Sequence, residues 1–309
     1  MILITGATGF LGRAILRNPD IRSYEYISSS LSSGLDLKDY KSTLSFFKKH
    51  KPSIILNCAA FVGGIHYGYE QPAKLFYDNL LMTLNLFQVS SETGVERIVN
   101  PISNCTYPAA SKFFKESEFW DGPLHESVLA YGFARKASVV ASSVYNRQHS
   151  LDSINFIFSN MYGPEDHFEE ERSHALGALI MKIANAKKMN LPQVIVWGSG
   201  LPVREWLHVD DAAKVMIKGI SCNLSNNLIN IGIGKGISIF DLTLMIKKII
   251  GYEGEIVYDK SKPDGAEFKT VDGSLAEKYL NWQPTILFED GLRDTINWYL
   301  TNRDNNENY

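Results

Sequence analysis

The chain has 309 residues, 45% of them apolar and 21% charged, which excludes a disordered or collagen-like polymer. Thirty-one basic against thirty-four acidic residues leave a net charge of −3, too even for the broad cationic face that nucleic-acid binding requires. Cys58, Cys105 and Cys222 are odd in number and widely spaced, so they suggest a reducing compartment rather than a disulfide framework or a metal site.

At about 150 residues per domain the length suggests two domains. No apolar run approaches the roughly eighteen residues of a membrane span. Met1-Ile-Leu-Ile-Thr-Gly6 lacks the basic n-region of a signal peptide. A soluble, cytoplasmic chain is expected.

In chain order, strand is predicted at 1–5, helix at 11–17, strand at Tyr24–Ser28, helix at Asp39–His50 and strand at Ser53–Ala59. A long helix follows over Gln71–Thr93, with apolar Phe76, Leu80, Leu84 and Phe87 at threes and fours. Strand at 97–102, helix at 128–149 and strand at 153–159 continue the alternation. Such alternation predicts an α/β fold, a Rossmann-type doubly wound parallel sheet. Ile54-Ile55-Leu56 suits a strand buried on both faces. After Gly163-Pro164 the texture changes. An acidic loop (Glu165, Asp166, Glu169, Glu170, Glu171) leads to a helix near 173–188 and a strand at Val194–Trp197. Helices are predicted at 210–221, 238–250 and 288–301, then a polar tail, Asn302–Tyr309. These segments suggest a smaller α/β substrate-binding domain.

Gly6-Ala7-Thr8-Gly9-Phe10-Leu11-Gly12 lies between the first strand and first helix. Glycine there lets the backbone approach a pyrophosphate and pack against the helix, whose free N–H groups and positive dipole end face the anion. A structural tight turn could use the same glycines, but the strand–loop–helix context favours a dinucleotide. An acid ending the second strand would grip a ribose 2′-hydroxyl. Here the strand ends Ile27-Ser28-Ser29-Ser30, and Arg13 follows the third glycine. Hydroxyls plus a guanidinium suit a 2′-phosphate, so NADP(H) is expected, although Arg13 alone could be a solvated helix residue.

Ser103-Asn-Cys105-Thr-Tyr-Pro108 follows a predicted central strand, and Tyr131-Gly-Phe-Ala-Arg135-Lys136 opens a helix. With these, Ala59–Ile65, Asn160–Asp166, Ser173-His174, Val196–Gly200, Arg204–Asp211 and Ser261–Gly265 form a colinear set across the chain. The set resembles the extended short-chain dehydrogenase/reductase family, and within it the GDP-L-fucose synthases, which act on GDP-4-keto-6-deoxy-D-mannose. The resemblance implies that Tyr131 protonates a carbonyl oxygen, with Ser103 bonded to it, as the cofactor delivers hydride. A phenol is a weak acid, so a nearby cation is needed. It implies that Cys105 and His174 exchange protons at C3 and C5, both acidified by the C4 ketone. Either alone would read as an inert buried thiol or a structural histidine. Ser103, Tyr131, Arg135 and His174 are also expected at the cofactor, with Phe158, Ser159, Asn160 and Met161 near its nicotinamide end. Lys182, Trp197, Arg204 and Asp272 are expected at the substrate, the two cations serving its diphosphate.

One position departs from the family's Tyr-x-x-x-Lys: Arg135 stands fourth after Tyr131, and Lys136 lies one further. On a helix Lys136 points about 100° away and cannot simply substitute. Arg135 keeps the charge but cannot release a proton. The leading expectation is an NADPH-dependent epimerase–reductase of nucleotide-sugar biosynthesis for surface polysaccharide, a homodimer binding a GDP-sugar and no metal, nucleic acid or membrane. A C4 reductase of a hexose or heptose without epimerisation, and a non-catalytic NADP-binding regulator, are the alternatives. A dehydratase is disfavoured because Ser103-Asn104-Cys105 offers no acid pair. The cofactor domain is expected over 1–163 with a return at 208–235, and the substrate domain over 164–309, mainly 164–207 and 236–309.

Overall fold

A computed structural model describes every residue except 64, 170–172, 226, 263 and 307–309. Gly64, Glu170, Glu171, Pro263 and the last three tail residues of the sequence reading therefore lie outside the described residues.

The apolar runs of the first half become strands because each can be covered on both sides. The order is β1 (Ile2–Thr5), α1 (Phe10–Arg17), β2 (Tyr26–Ser28), α2 (Tyr40–His50), β3 (Ile54–Asn57), α3 (Ile65–Glu70), α4 (Pro72–Thr93), β4 (Arg97–Ser103), β5 (Phe113–Phe114), α5 (Leu129–His149) and β6 (Asp152–Phe158). Next come β7 (Asn160–Tyr162), α6 (Ala175–Lys188), β8 (Gln193–Trp197), β9 (Val203–Arg204), β10 (Trp206–His208), α7 (Val209–Lys218) and β11 (Asn227–Ile231). β12 (Ile237–Ser238), α8 (Ile239–Ile250), β13 (Glu255–Asp259), β14 (Phe268–Val271), α9 (Ser274–Leu280) and α10 (Phe288–Asn306) follow.

Six strands form a wholly parallel sheet in the order β11-β6-β4-β3-β1-β2. The chain runs outward from β1 to β2 and then returns to β3 on the other side, so the strand order reverses beside β1. In such sheets the ligand crevice opens at the carboxyl ends of the strands at that reversal. One face is covered by α1 and α7 through Leu11, Ile15, Val209, Ala213 and Met216. The other is covered by α2, α4 and α5 through Phe47, Leu86, Phe87 and Ala141. A separate core joins α6, α8 and α10 through Ile180, Ile183, Leu242, Ile246, Leu292 and Ile296. Each fully buried side chain of this size contributes about 1.5–3 kcal/mol. Smaller sheets, β12-β9-β14-β5, β13-β8 and β10-β7, carry the remaining strands.

Three expectations change in detail. The α6 helix begins at Ala175, which leaves His174 at its N-cap, and α10 continues to Asn306 through much of the expected polar tail. The α4 helix exists where expected, but Phe76 and Leu84 are exposed, with Tyr77 beside them. Its buried face instead takes Leu75, Asn79, Thr83, Leu86 and Phe87. Asn79 is drawn inward because the Phe61 loop docks on it, Phe61 N–H donating to Asn79 Oδ1 at 3.0 Å and Asn79 Nδ2 donating back at 2.8 Å.

A polar ladder crosses the centre of the sheet. Thr5 Oγ1 donates to Asn57 Oδ1 (2.9 Å), and Asn57 Nδ2 donates to Asn100 Oδ1 (2.9 Å). Asn100 Nδ2 donates to Asn155 Oδ1 (3.1 Å), which also accepts from Ser142 Oγ of α5 (3.1 Å). All five residues are buried. Replacing Asn100 with Leu strands a buried donor on Asn57 and leaves Asn155 Oδ1 with the Ser142 hydroxyl as its one side-chain donor. Urea denaturation should show a loss of about 2–4 kcal/mol; a change under about 1 kcal/mol would mean that the ladder is not needed for stability.

Candidate active site

The glycine loop follows β1 because only glycine fits its turns. Gly6 has φ +58°, and a Cβ there would lie 2.6 Å from the Cys58 carbonyl. A Cβ on Gly12 would collide with the Gly6 carbonyl oxygen and lie 2.8 Å from the Ala7 Cα. Gly9 is the N-cap of α1 and offers no capping side chain, so the first amides of the helix have no side-chain acceptor. A close backbone cradle at an uncapped helix N-terminus fits a dinucleotide pyrophosphate. Phe10 opens the helix and Leu11 is buried in the core, which leaves Leu11 only its amide to offer.

Beside the loop, Ser28 is exposed at the end of β2 and Ser29 is buried, its carbonyl accepting from Ala7 N–H at 3.1 Å. The hydroxyls continue further than the sequence reading took them. Ser30 Oγ lies 3.0 Å from Ser32 Oγ and 3.1 Å from Ser33 Oγ, and Thr8 Oγ1 lies 3.5 Å from Ser32 Oγ. Their signal was the serine-rich run Ser28-Ser29-Ser30-Leu31-Ser32-Ser33. Arg13 is not a free guanidinium. It donates to the Thr8 and Glu165 carbonyls, each at 2.7 Å, and pairs with the Glu165 carboxylate at 3.3 Å. A 2′-phosphate reaching Arg13 would compete with Glu165.

Phe158, which ends β6, and Met161 of β7 pack into the core. Ser159 is buried with its hydroxyl unpartnered, and Asn160 Nδ2 donates to the Glu205 carbonyl at 3.0 Å.

Ser103 ends β4, and its hydroxyl accepts from Cys105 N–H at 3.3 Å. Cys105 is buried, and that burial raises its thiol above the ordinary value, opposed by Ser103, Lys269 and Arg135. Tyr131 and Arg135 are one helical turn apart on α5. Burial also raises the Tyr131 phenol, and the Arg135 guanidinium opposes this. Arg135 is buried, donates to the Pro101 carbonyl and leaves its Nε unpartnered. Lys136 points elsewhere, as helical spacing predicts. Its Nζ lies 4.6 Å from the Phe119 and Trp120 ring centres and donates to the Phe119 carbonyl. Burial holds that ammonium below its ordinary value, with Asp121 opposing.

His174 is exposed at the N-cap of α6. Its imidazole is nonetheless held below the ordinary value by the surrounding desolvation, then by His167 and Lys269. Lys269 was missed in the sequence, where a single lysine on a short strand carries no motif. It lines one cavity with Cys105 and is the register partner of Arg204. Burial lowers the Arg204 guanidinium to about 10, opposed by Asp264. Lys182 stands 5.3 Å and Lys262 5.4 Å from the ring centre of Trp197, which is 54% exposed and so no core indole. Asp272 turns its carboxylate to the start of α9, accepting from Ser274 N–H at 3.0 Å.

Residues 2–232 match the NAD dependent epimerase/dehydratase family. The chain belongs to this family. Among its epimerase/dehydratase relatives, the GDP-L-fucose synthase of Escherichia coli (strain K12) is 33% identical, over 98% of this chain and 97% of that one. The GDP-L-colitose synthase of Yersinia pseudotuberculosis is also 33% identical, over 98% and 99%. Among solved structures, a GDP-6-OMe-4-keto-L-xylo-heptose reductase from C. jejuni superposes with a TM-score of 0.90 at 28% identity, covering 97% of both chains. For an epimerase/dehydratase member with this loop, Gly12→Val should weaken NADPH binding at least about tenfold in a fluorescence titration while circular dichroism stays native. Unchanged affinity would remove the glycine loop from the cofactor site.

Proposed function

We propose that this chain is an NADPH-dependent epimerase and C4-reductase of a GDP-4-keto-6-deoxy sugar, of the GDP-L-fucose synthase type. The observation that carries the reading is the convergence of Ser103, Cys105, Tyr131 and Arg135 at the carboxyl end of the sheet. It occurs in a chain about one-third identical to GDP-L-fucose synthases over nearly its whole length. NADPH, when bound, supplies hydride to the carbonyl carbon. The Tyr131 phenol gives its proton to the carbonyl oxygen, and the Ser103 hydroxyl donates to that same oxygen. Arg135 supplies the charge that offsets burial of the phenol and makes the phenolate easier to form. Cys105 and His174 exchange the protons at C3 and C5, one from each face of the ring. Arg204 and Lys182 meet the two charges of the sugar-nucleotide diphosphate. The exposed Trp197 ring packs on base or sugar, and Asp272, whose carboxylate accepts from Ser274 N–H, is a further substrate contact.

The cofactor unit comprises 1–163 with 208–235, since α7 covers the sheet and β11 extends its edge. The substrate unit takes mainly 164–207 and 236–309. Two copies join through α4 and α5, whose Phe76, Tyr77, Leu84, Phe133 and Val140 are exposed. Three free cysteines support a cytoplasmic setting. No helix among the described residues is long and apolar enough to cross a membrane. The product would feed surface-polysaccharide synthesis.

A second reading, C4 reduction of a hexose or heptose without epimerisation, is favoured by the heptose reductase superposition. Turnover in D₂O separates the two. Deuterium at C3 and C5 is expected, and Cys105→Ala should lower its uptake at least about 100-fold. Reduction without deuterium would establish the plain reductase. Tight NADPH binding with no GDP-4-keto sugar turned over would establish a regulator.

Arg135→Lys gives a further check. We expect an active wild type whose kcat changes no more than about tenfold in the variant, because both side chains hold a cation beside Tyr131. An inactive wild type restored by lysine would defeat the idea.

A further inference from the structure

The loop after β4 and the entry to β14 enclose a small cavity lined by Asn104, Cys105, Tyr107, His125, Phe268 and Lys269. The β14 strand reaches it through pairing. Its Phe268 and Lys269 lie opposite Val203 and Arg204 of β9, and its Thr270 and Val271 lie opposite Phe113 and Phe114 of β5. The Lys269 carbonyl accepts from Glu205 N–H at 3.1 Å, which fixes the strand while the side chain faces the cavity. The charges acting on its ammonium are those of Cys105 and Arg204, and it acts in turn on His174; no carboxylate acts on it among the described residues.

We propose that Lys269 is the positioning cation that stabilises the Cys105 thiolate during proton exchange on the sugar. The proposal rests on the epimerase reading above and deepens it. Suppose the thiolate removes the proton. An S–H bond forms as the C–H bond breaks, the electron pair moves into the C4 carbonyl as an enolate, and an imidazolium returns a proton to the opposite face. Suppose instead that the imidazole removes it. The thiol then gives its proton to carbon and is left as thiolate. In either direction one state of the cycle holds a negative sulfur in a buried place, which is unfavourable unless a cation faces it.

The other groups around Cys105 serve a negative sulfur less directly. Ser103 can offer it a hydrogen bond but no charge, its hydroxyl oxygen already accepting from the Cys105 amide, and Tyr131 disfavours a negative sulfur once ionised. Arg135 adds to the same field more weakly than Lys269, its guanidinium bonded to the Pro101 carbonyl and acting on Tyr131 as well, and His125 Nδ1 lies 2.8 Å from the Ser127 hydroxyl. Arg204, beside Lys269, is turned toward the Val203 carbonyl and Asp264.

The test is the pH dependence of iodoacetamide alkylation at Cys105 in the full-length chain, followed by peptide mass spectrometry. The midpoint reports thiolate formation, independently of how readily the reagent enters. Lys269→Met should raise it by about one pH unit, so that alkylation below the midpoint slows about tenfold; Lys269→Arg should restore it. Deuterium uptake at C3 and C5 should fall with Lys269→Met and recover with Lys269→Arg. An unchanged midpoint in Lys269→Met would overturn the proposal, including the case where only KM for the sugar nucleotide rises, as for a diphosphate contact. Alkylation needs no substrate. A midpoint shifted by Lys269→Met, together with a wild type that incorporates no deuterium, would therefore refute the epimerase reading and leave the ion pair standing.

Discussion

The structure depends first on a line of amides buried in its sheet. An unpaired amide in this interior would forfeit about 1–3 kcal/mol, so Thr5, Asn57, Asn100, Asn155 and Ser142 must stay in step. A slip of one residue between any two strands would turn a ladder side chain to the opposite face and break the line. Alignment of four strands follows, and with it alignment of what each strand delivers at its carboxyl end: Gly6 after β1, Cys58 after β3, Ser103 ending β4 and Ser159 after β6. The last link, Ser142, lies on the helix of Tyr131 and Arg135, so the same network ties that helix to the sheet.

The other wall of the cleft is held by one carboxylate. Glu205 is 1% exposed and burial raises it to about 7, yet Oε2 accepts from Val271 N–H at 2.8 Å and Oε1 from Ile233 N–H at 2.5 Å. It therefore clamps the end of β11 to β14, the strand that carries Lys269. At the opposite end of the sheet Arg97 pairs with Asp152, its register partner, and donates to the Cys222 carbonyl at 2.7 Å, closing the crossover from α7 to β11. Glu205 and Arg97 thus each fasten backbone segments that are distant in sequence.

What could be read from the residues divides along physical lines. Runs such as Ile54-Ile55-Leu56 and the glycine loop announce themselves because burial and backbone geometry act within a few neighbours. Two-residue strands such as β5, β9 and β12 are too short for any periodicity and form only where distant segments meet. The α4 helix is apolar on nearly every side, so its pattern did not select a face; docked loops did, pulling in Asn79 and also Asn85, whose Nδ2 donates to the Leu37 and Lys38 carbonyls, each at 2.9 Å. The candidate site was legible where motifs mark it: Ser103, Cys105, Tyr131 and His174. Lys269 was not, because its significance lies in what faces it across strands far apart in sequence. Arg13 was legible as a cation beside the loop, but its engagement by Glu165, more than 150 residues away, was not.

The arginine on α5 has a consequence for how the proposed reaction would fail as solutions become alkaline. A guanidinium holds its proton far more firmly than an ammonium in an equally enclosed place. Of the pair Tyr131 and Arg135, only the phenol can then be emptied of its proton. The basic decline of carbonyl reduction becomes a single ionisation belonging to the acid itself. A lysine at 135 would add a second, overlapping loss of charge, and the two would be inseparable in any rate curve.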